Sequence, residues 1–241
     1  MHKLILLLLT VIVLLFAYFS FDGFHFYDDV GYLEKAYTLH HQSFAQSLLN
    51  SNEQAHRFGF LVPLAILQLF FPFHELTHIA WVVFCTLAGI YLVYYWFSIS
   101  YKEVALYASI LLGLDYYYLY LCNEVYPDTQ TAIFCLLAAF LAWKQSPKLV
   151  HAFLFVSCIF IALLCKLTAI FILPFFIFRC FQIFFTNSFR FWLHSLLISF
   201  VFLGCYLAVY HHYTGNFLFR FQLVEANRYA DALSYLSLIH I

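Results

Sequence analysis

Charge is what this sequence has least of. Only 10% of its 241 residues are Asp, Glu, Lys or Arg, and 11 basic residues nearly balance 12 acidic ones. No basic face is therefore available for a nucleic-acid backbone, and no long run of like charge marks a solvated tail. Nucleic acid is excluded as a partner. The cysteines offer no C-x-x-C pair: Cys85, Cys122, Cys135, Cys158, Cys165, Cys180 and Cys205 all lie in or beside apolar runs. They read as small polarizable packing residues rather than metal ligands or disulfide partners. Internal repeats, low-complexity linkers and a polar domain are also missing.

What fills the chain instead is apolar. Hydrophobic residues make up 65% of it and aromatics 23%, with a mean hydropathy of +0.88. A water-soluble domain needs a largely polar surface and cannot hide that much apolar area, so lipid is the expected solvent. The first apolar run, Leu4 to Phe19, follows a short basic start at His2 and Lys3. Its end, Ala17-Tyr18-Phe19-Ser20, places aromatics where signal cleavage needs small residues, so it reads as an uncleaved span with Lys3 on the cytoplasmic side.

Further apolar stretches run from Ile79 to Ile99, Val104 to Leu121, Thr129 to Trp143, Leu149 to Leu164, Leu167 to Phe178 and Phe191 to Tyr210. Phe58 to Phe73 is apolar too. If that segment lies along the interface, the connections carrying Lys102, Lys144 with Lys148, and Arg179 with Arg190 fall on the same side as Lys3, as the positive-inside rule requires. The expectation is an all-α, polytopic integral membrane protein with about seven transmembrane helices and interfacial helices in its first outer loop. Under that topology Asp22 to Arg57, Asn123 to Asp128, Lys166 and the residues from Thr214 onward share the outer face, with Tyr116 to Tyr118 and Tyr120 as an interfacial belt.

The chemistry-bearing residues gather on that face. Asp28-Asp29-Val30-Gly31-Tyr32-Leu33-Glu34-Lys35-Ala36 begins just beyond the first span. Adjacent carboxylates near a membrane repel one another and resist desolvation, so they call for a cation, a hydrogen-bond network or water. One can then act as a base while the other orients it or holds metal; the plainer role is to cap the helix carrying Tyr32. Lys166, between Cys165 and Leu167, is costly in hydrocarbon unless it snorkels or meets an anion such as a lipid phosphate. Arg57, just ahead of an apolar segment, is a second candidate cation, with His56 beside it. Tyr213-Thr214-Gly215-Asn216 reads as the end of the last helix, with Gly215 supplying the cap.

A different chemistry is written in His74-Glu75-Leu76-Thr77-His78, which satisfies H-E-x-x-H. On a helix that spacing sets two imidazoles on one face for zinc with the glutamate as general base, the arrangement of an intramembrane metalloprotease. A third protein ligand has no recognised partner motif downstream. A non-catalytic transporter is the other alternative; it calls for paired charges near the bilayer midplane, whereas these carboxylates lie at an edge.

The pattern Asp-(Asp/Glu)-x-x-Tyr-x-x-x-Ala after a first span, met here by Asp28, Asp29, Tyr32 and Ala36, resembles the GT-C glycosyltransferases. Within them it is most similar to the family-39 group of protein O-mannosyltransferases and lipid A aminoarabinose transferases. The similarity continues through Arg57-Phe58-Gly59-Phe60-Leu61-Val62-Pro63-Leu64, Pro127-Asp128 and Lys166-Leu167-Thr168-Ala169, and so covers most of the chain.

The resemblance implies a GT-C-like membrane domain over residues 1–235. It implies inverting transfer of a sugar from a polyprenyl-phosphate donor to a hydroxyl of a lipid, glycan or protein acceptor, on the outward face of the plasma (inner) membrane. Asp28 would be the base and Asp29 its paired acid. Tyr32, Arg57, Glu124, Asp128 and Lys166 would bind substrate, and a divalent metal ion would fall to Asp29 and Asp128. Asp29 stands where many members carry Glu. The final residues, Leu236 to Ile241, match the translation of a transposon-derived sequencing-adaptor end, which implies that residues 236–241 are an artefact and the chain a fragment.

Overall fold

A computed structural model describes residues 2–21, 23, 27–41, 44–71, 75–183 and 189–226, without the side chains of residues 27, 28, 75–77 and 183. His74 and residues 236–241 lie outside the described residues. Among the described residues there is no strand. The helices are α1 (His2–Ser20), α2 (Tyr27–His41), α3 (Phe44–Leu48), α4 (Phe58–Phe70), α5 (Glu75–Ser98), α6 (Lys102–Gly113), α7 (Tyr116–Tyr120), α8 (Pro127–Lys144), α9 (Leu149–Cys165), α10 (Leu173–Ile183) and α11 (Phe189–Thr214). Short 3-10 turns occupy Glu53–His56, Leu121–Asn123 and Leu167–Ile172.

Three segments are long and apolar enough to cross a membrane: His2–Ser20, His78–Ser98 and Phe189–Thr214, with mean hydropathies of 2.5, 1.7 and 1.9. Large apolar side chains on α1 and α11, such as Leu7, Leu8, Phe200 and Val201, are exposed, as they are on helices solvated by lipid. These dimensions are compatible with an integral membrane protein.

Two expected spans are broken. Val104 to Leu121 reads as continuous in sequence, but α6 stops at Gly113 and the chain turns by 59° into α7 and the following turn. Asp115 causes the restart: it takes an extended conformation and its carboxylate accepts the Tyr118 N–H, capping a new helix. Counting this bent pair as one crossing gives up to four spanning units, short of the expected seven. Leu167 to Phe178 also divides, into a 3-10 turn and α10, because Lys166 before it is extended (φ −151°, ψ 129°) and Pro174 sits in the first turn of α10, where a missing N–H costs least.

Phe58–Phe70, at 13 residues, is about 20 Å long against a hydrocarbon core of about 30 Å. Leu149–Cys165 is likewise shorter than the spanning helices. Helix α5 packs on α6 and α8, α8 on α9, and α9 on α11, while α1 flanks α5 and α6; α2 and α4 pack together across the end of this row, against α9. One apolar core, including Tyr32, Leu33, Phe60, Leu64, Val125 and Cys165, unites α1, α2, α4, α5 and α9. A second, around Phe155, Phe176 and Phe191, joins α8, α9, α10 and α11. All seven cysteines are free thiols.

Candidate functional site

The loop between the Leu121–Asn123 turn and α8 is where the polar residues meet. Pro127 opens α8 at its first helical position, with Asp128 in the first turn, where unpaired N–H groups and the helix dipole favour a carboxylate. Across the groove, α9 ends at Lys166, whose N–H closes on Ala162 O at 2.9 Å. Packing of α8 on α9 brings Lys166 Nζ to 2.7 Å from Asp128 Oδ1, with side chains 29% and 32% exposed. The lysine that sequence assigns to a donor phosphate thus holds a carboxylate.

Asp28 and Asp29 fall inside the first turn of α2, which opens at Tyr27, so the expected role of the pair as helix cap is not the arrangement found. Asp29 turns inward: it is 1% exposed, and its Oδ1 accepts the N–H of Val125 at 2.7 Å. A carboxylate there satisfies a loop amide that no helix reaches. The Asp28 side chain lies outside the described residues.

Three residues further along α2, Tyr32 is buried and receives a hydrogen bond from Arg57 Nη1, whose guanidinium also lies 5.5 Å from the Tyr32 ring centroid. The other arm of Arg57 pairs with Glu53 at 2.7 Å. Tyr32 meets Tyr126 edge-on, ring centroids 6.4 Å apart, which ties this cluster to the loop carrying Glu124. Glu124 is itself buried, and its Oε2 has no hydrogen-bond partner among the described residues.

Sequence reasoning missed three participants. Glu53 neutralises Arg57. Gln130, 3% exposed, donates to Gly59 O at 2.6 Å and accepts from Trp81 Nε1 at 3.0 Å. That first bond follows from Pro63: lacking an N–H, it leaves the carbonyl of Gly59 without its helical donor, and Gln130 from α8 takes the place. Arg220, in the helical stretch 219–226, is 3% exposed. Its signal was an arginine between Phe219 and Phe221, a cation in aromatic surroundings. The Thr214 end of α11 is as expected, with Gly215 at φ +72° and its N–H on His211 O at 2.9 Å.

His56 is wholly buried and bridges the first outer loop to α11. Its Nε2 lies 2.7 Å from Asn50 O; a carbonyl can only accept, so Nε2 carries the proton and Nδ1 accepts from Tyr210 Oη at 3.1 Å. Burial holds its pKa below the ordinary value, the Asn50 carbonyl opposes that shift, and the Arg220 charge adds to it.

The metal and zinc expectations fare differently. Asp29 Oδ1 is engaged by Val125 and Asp128 Oδ1 by Lys166, and among the described residues no three His, Cys, Asp or Glu side chains form a group able to hold a metal ion. The residues assigned to a divalent ion do not fit it as arranged, and no step below passes through one. Of the H-E-x-x-H pair, His78 is buried and lies 3.2 Å from Gln68 Nε2, while His74 and the Glu75 side chain lie outside the described residues.

No family model, curated protein or solved structure matches the chain.

Proposed function

We propose that this chain is a membrane glycosyltransferase that moves a sugar from a polyprenyl-phosphate donor to an acceptor hydroxyl on the non-cytoplasmic face. The observation that carries this reading is the convergence of Asp29, Tyr32, Arg57, Glu124, Asp128 and Lys166 around one loop at the end of the helices. That grouping joins residues scattered along the chain which the GT-C resemblance assigns to one site. In this reading about seven crossings are made, the shorter helices among them, and the cluster faces outward.

The chemistry is a single displacement. The acceptor oxygen attacks the anomeric carbon from the side opposite the carrier. Its proton passes to the Asp28 carboxylate, the bond from the anomeric carbon to the phosphate oxygen breaks, and the electron pair leaves with the phosphate. A cation beside the leaving oxygens lowers the barrier by meeting charge as it develops. Lys166 supplies it after exchanging Asp128 for the phosphate. Glu124, with its buried and unpartnered oxygen, is placed to accept a sugar or acceptor hydroxyl.

The test is transfer of a labelled sugar from a prenyl-phosphate donor in membranes carrying the protein. Asp28→Asn keeps size and polarity but removes the base, so insertion survives while transfer falls about 100- to 10,000-fold. Lys166→Ala weakens use of the phosphate-linked donor, and His78→Ala leaves transfer intact. Full activity in Asp28→Asn, together with loss of function and of bound zinc in His78→Ala, replaces this reading with the metalloprotease one.

A further inference from the structure

Three cations border the site, and they are not equivalent. Arg57 has Glu53 and Lys166 has Asp128. Arg220 is as deeply buried as any charged group described, yet among the described residues no carboxylate pairs with it. Its hydrogen bond is a long one, Nη2 to Leu164 O at 3.5 Å. A guanidinium cannot shed its proton to escape burial, and an unpaired buried charge is strongly disfavoured. The free structure therefore holds a cation whose anion comes from outside the described residues.

What lies next to Arg220 defines that anion. A partly open cavity of about 430 Å³ runs between α9 and α11, with an apolar wall that includes Phe58, Phe160, Leu164, Tyr206, Val209 and Tyr210. Leu164 belongs to both features, since it lines the cavity and its carbonyl receives Arg220. Phe219, the neighbour of Arg220, packs with Leu48, Phe58 and Tyr210, all of which line the same cavity. Tyr206 Oη is buried there with no hydrogen-bond partner. An unpaired cation thus stands at one end of an apolar slot, and an unused hydroxyl sits on its wall.

We infer that Arg220 and the α9–α11 cavity form a binding site for an anionic lipid, with its phosphate on the Arg220 guanidinium and its chain in the cavity. The planar fork of arginine grips two oxygens of a phosphate at once. Unlike a carboxylate, a phosphate ester keeps a further oxygen free for Lys166, whose backbone lies two residues beyond Leu164. Choosing phosphate over another oxyanion rests on the transfer reading above; the existence of an anion site does not. A free inorganic phosphate would leave the cavity empty.

Equilibrium binding to the purified full chain in neutral detergent tests this without any turnover. The probes are a long-chain prenyl phosphate, the matching prenyl alcohol, palmitate and inorganic phosphate. The variants are Arg220→Gln, Arg220→Lys, the cavity-filling Val209→Trp, and the exposed control Arg179→Gln.

Prenyl phosphate should bind more tightly than the alcohol, and Arg220→Gln should weaken it about 10- to 100-fold, the loss expected for charge-assisted hydrogen bonds, while barely changing the alcohol. Val209→Trp should weaken both prenyl compounds, and Arg179→Gln neither. Arg220→Lys, which keeps the charge, should fall between wild type and Arg220→Gln and guards against misfolding of the latter.

Unchanged prenyl phosphate binding in folded Arg220→Gln or Arg220→Lys overturns the site. Equal binding of alcohol and phosphate removes the anion role. Competition by inorganic phosphate at the same concentrations removes the lipid, and tighter binding of palmitate replaces phosphate by carboxylate. Arg220-dependent binding in a protein that transfers no sugar would leave this inference standing while the proposed function falls.

Discussion

Lys166 Nζ and Asp128 Oδ1 meet at 2.7 Å although the residues are separated by 38 positions. The pair locks the start of α8 to the end of α9 at the edge of the candidate site. It also sets a condition on any anion that is to reach Lys166, which must compete with a carboxylate already in place. With both side chains about two-thirds buried, the pair is screened less than a surface bridge.

Replacing either partner of that pair should destabilise the protein, whereas the double variant Lys166→Ala/Asp128→Ala should lose less than the sum, with a coupling of about 1 kcal/mol. Thermal unfolding of the four proteins in detergent measures it. Strict additivity would mean that the ion pair contributes nothing to folding.

Asp29 separates a structural from a chemical role. Asp29→Ala leaves the Val125 N–H buried without an acceptor, at a cost of about 1–3 kcal/mol, while Asp29→Asn retains an acceptor oxygen and most of the stability. Unfolding midpoints decide this. Equal losses in the two variants would show that the charge, rather than the hydrogen bond to Val125, is what position 29 requires.

His56 makes stability depend on pH in a definite direction. Its folded pKa is depressed, by burial first and by Arg220 in addition, so the unfolded chain takes up a proton more readily. Its contribution is therefore complete above its unfolded pKa of about 6.5 and is lost as pH falls from there through the lower folded value. Melting temperatures at descending pH should fall more steeply for the wild type than for His56→Gln, which starts lower because the Asn50 and Tyr210 bonds are altered. Parallel slopes would rule His56 out as the titrating group.

Gly59 and Pro63 act as one device. A Cβ at Gly59 would stand 2.6 Å from Ile161 O and 2.8 Å from Cys165 N, so Gly59→Ala should push α4 off α9 beside Lys166 and cost about 1–3 kcal/mol. Gln130→Leu orphans Gly59 O and Trp81 Nε1 and should cost a similar amount. Adding Pro63→Ala to Gln130→Leu restores an N–H for Gly59 O and should recover part of the loss, read as an upward shift in melting temperature. No recovery would mean that the carbonyl freed by proline is not what Gln130 serves.

Local signals account for what could be read along the chain. The apolar runs mark the helices, Pro127 opens α8, Gly215 closes α11, and the extended Lys166 separates α9 from the 3-10 turn after it. Each depends on a side chain acting on its own few residues of backbone, which is why sequence suffices. The break at Asp115 was a local signal too, a capping residue read through as part of a longer apolar stretch.

Partner choice is another matter. That Asp29 serves Val125, 96 positions away, that Lys166 takes Asp128, and that Arg220 stands unpaired over Leu164 all depend on which helices lie side by side. Periodicity reports that arrangement in a soluble protein because one helix face is apolar and the other polar. Here helices such as α8 and α9 are apolar almost all round, as lipid permits, and nothing in their pattern says which face meets a neighbour. Sequence alone determined the helices, their ends and the inventory of polar groups; packing in three dimensions decided which of those groups satisfy one another and which are left for a ligand.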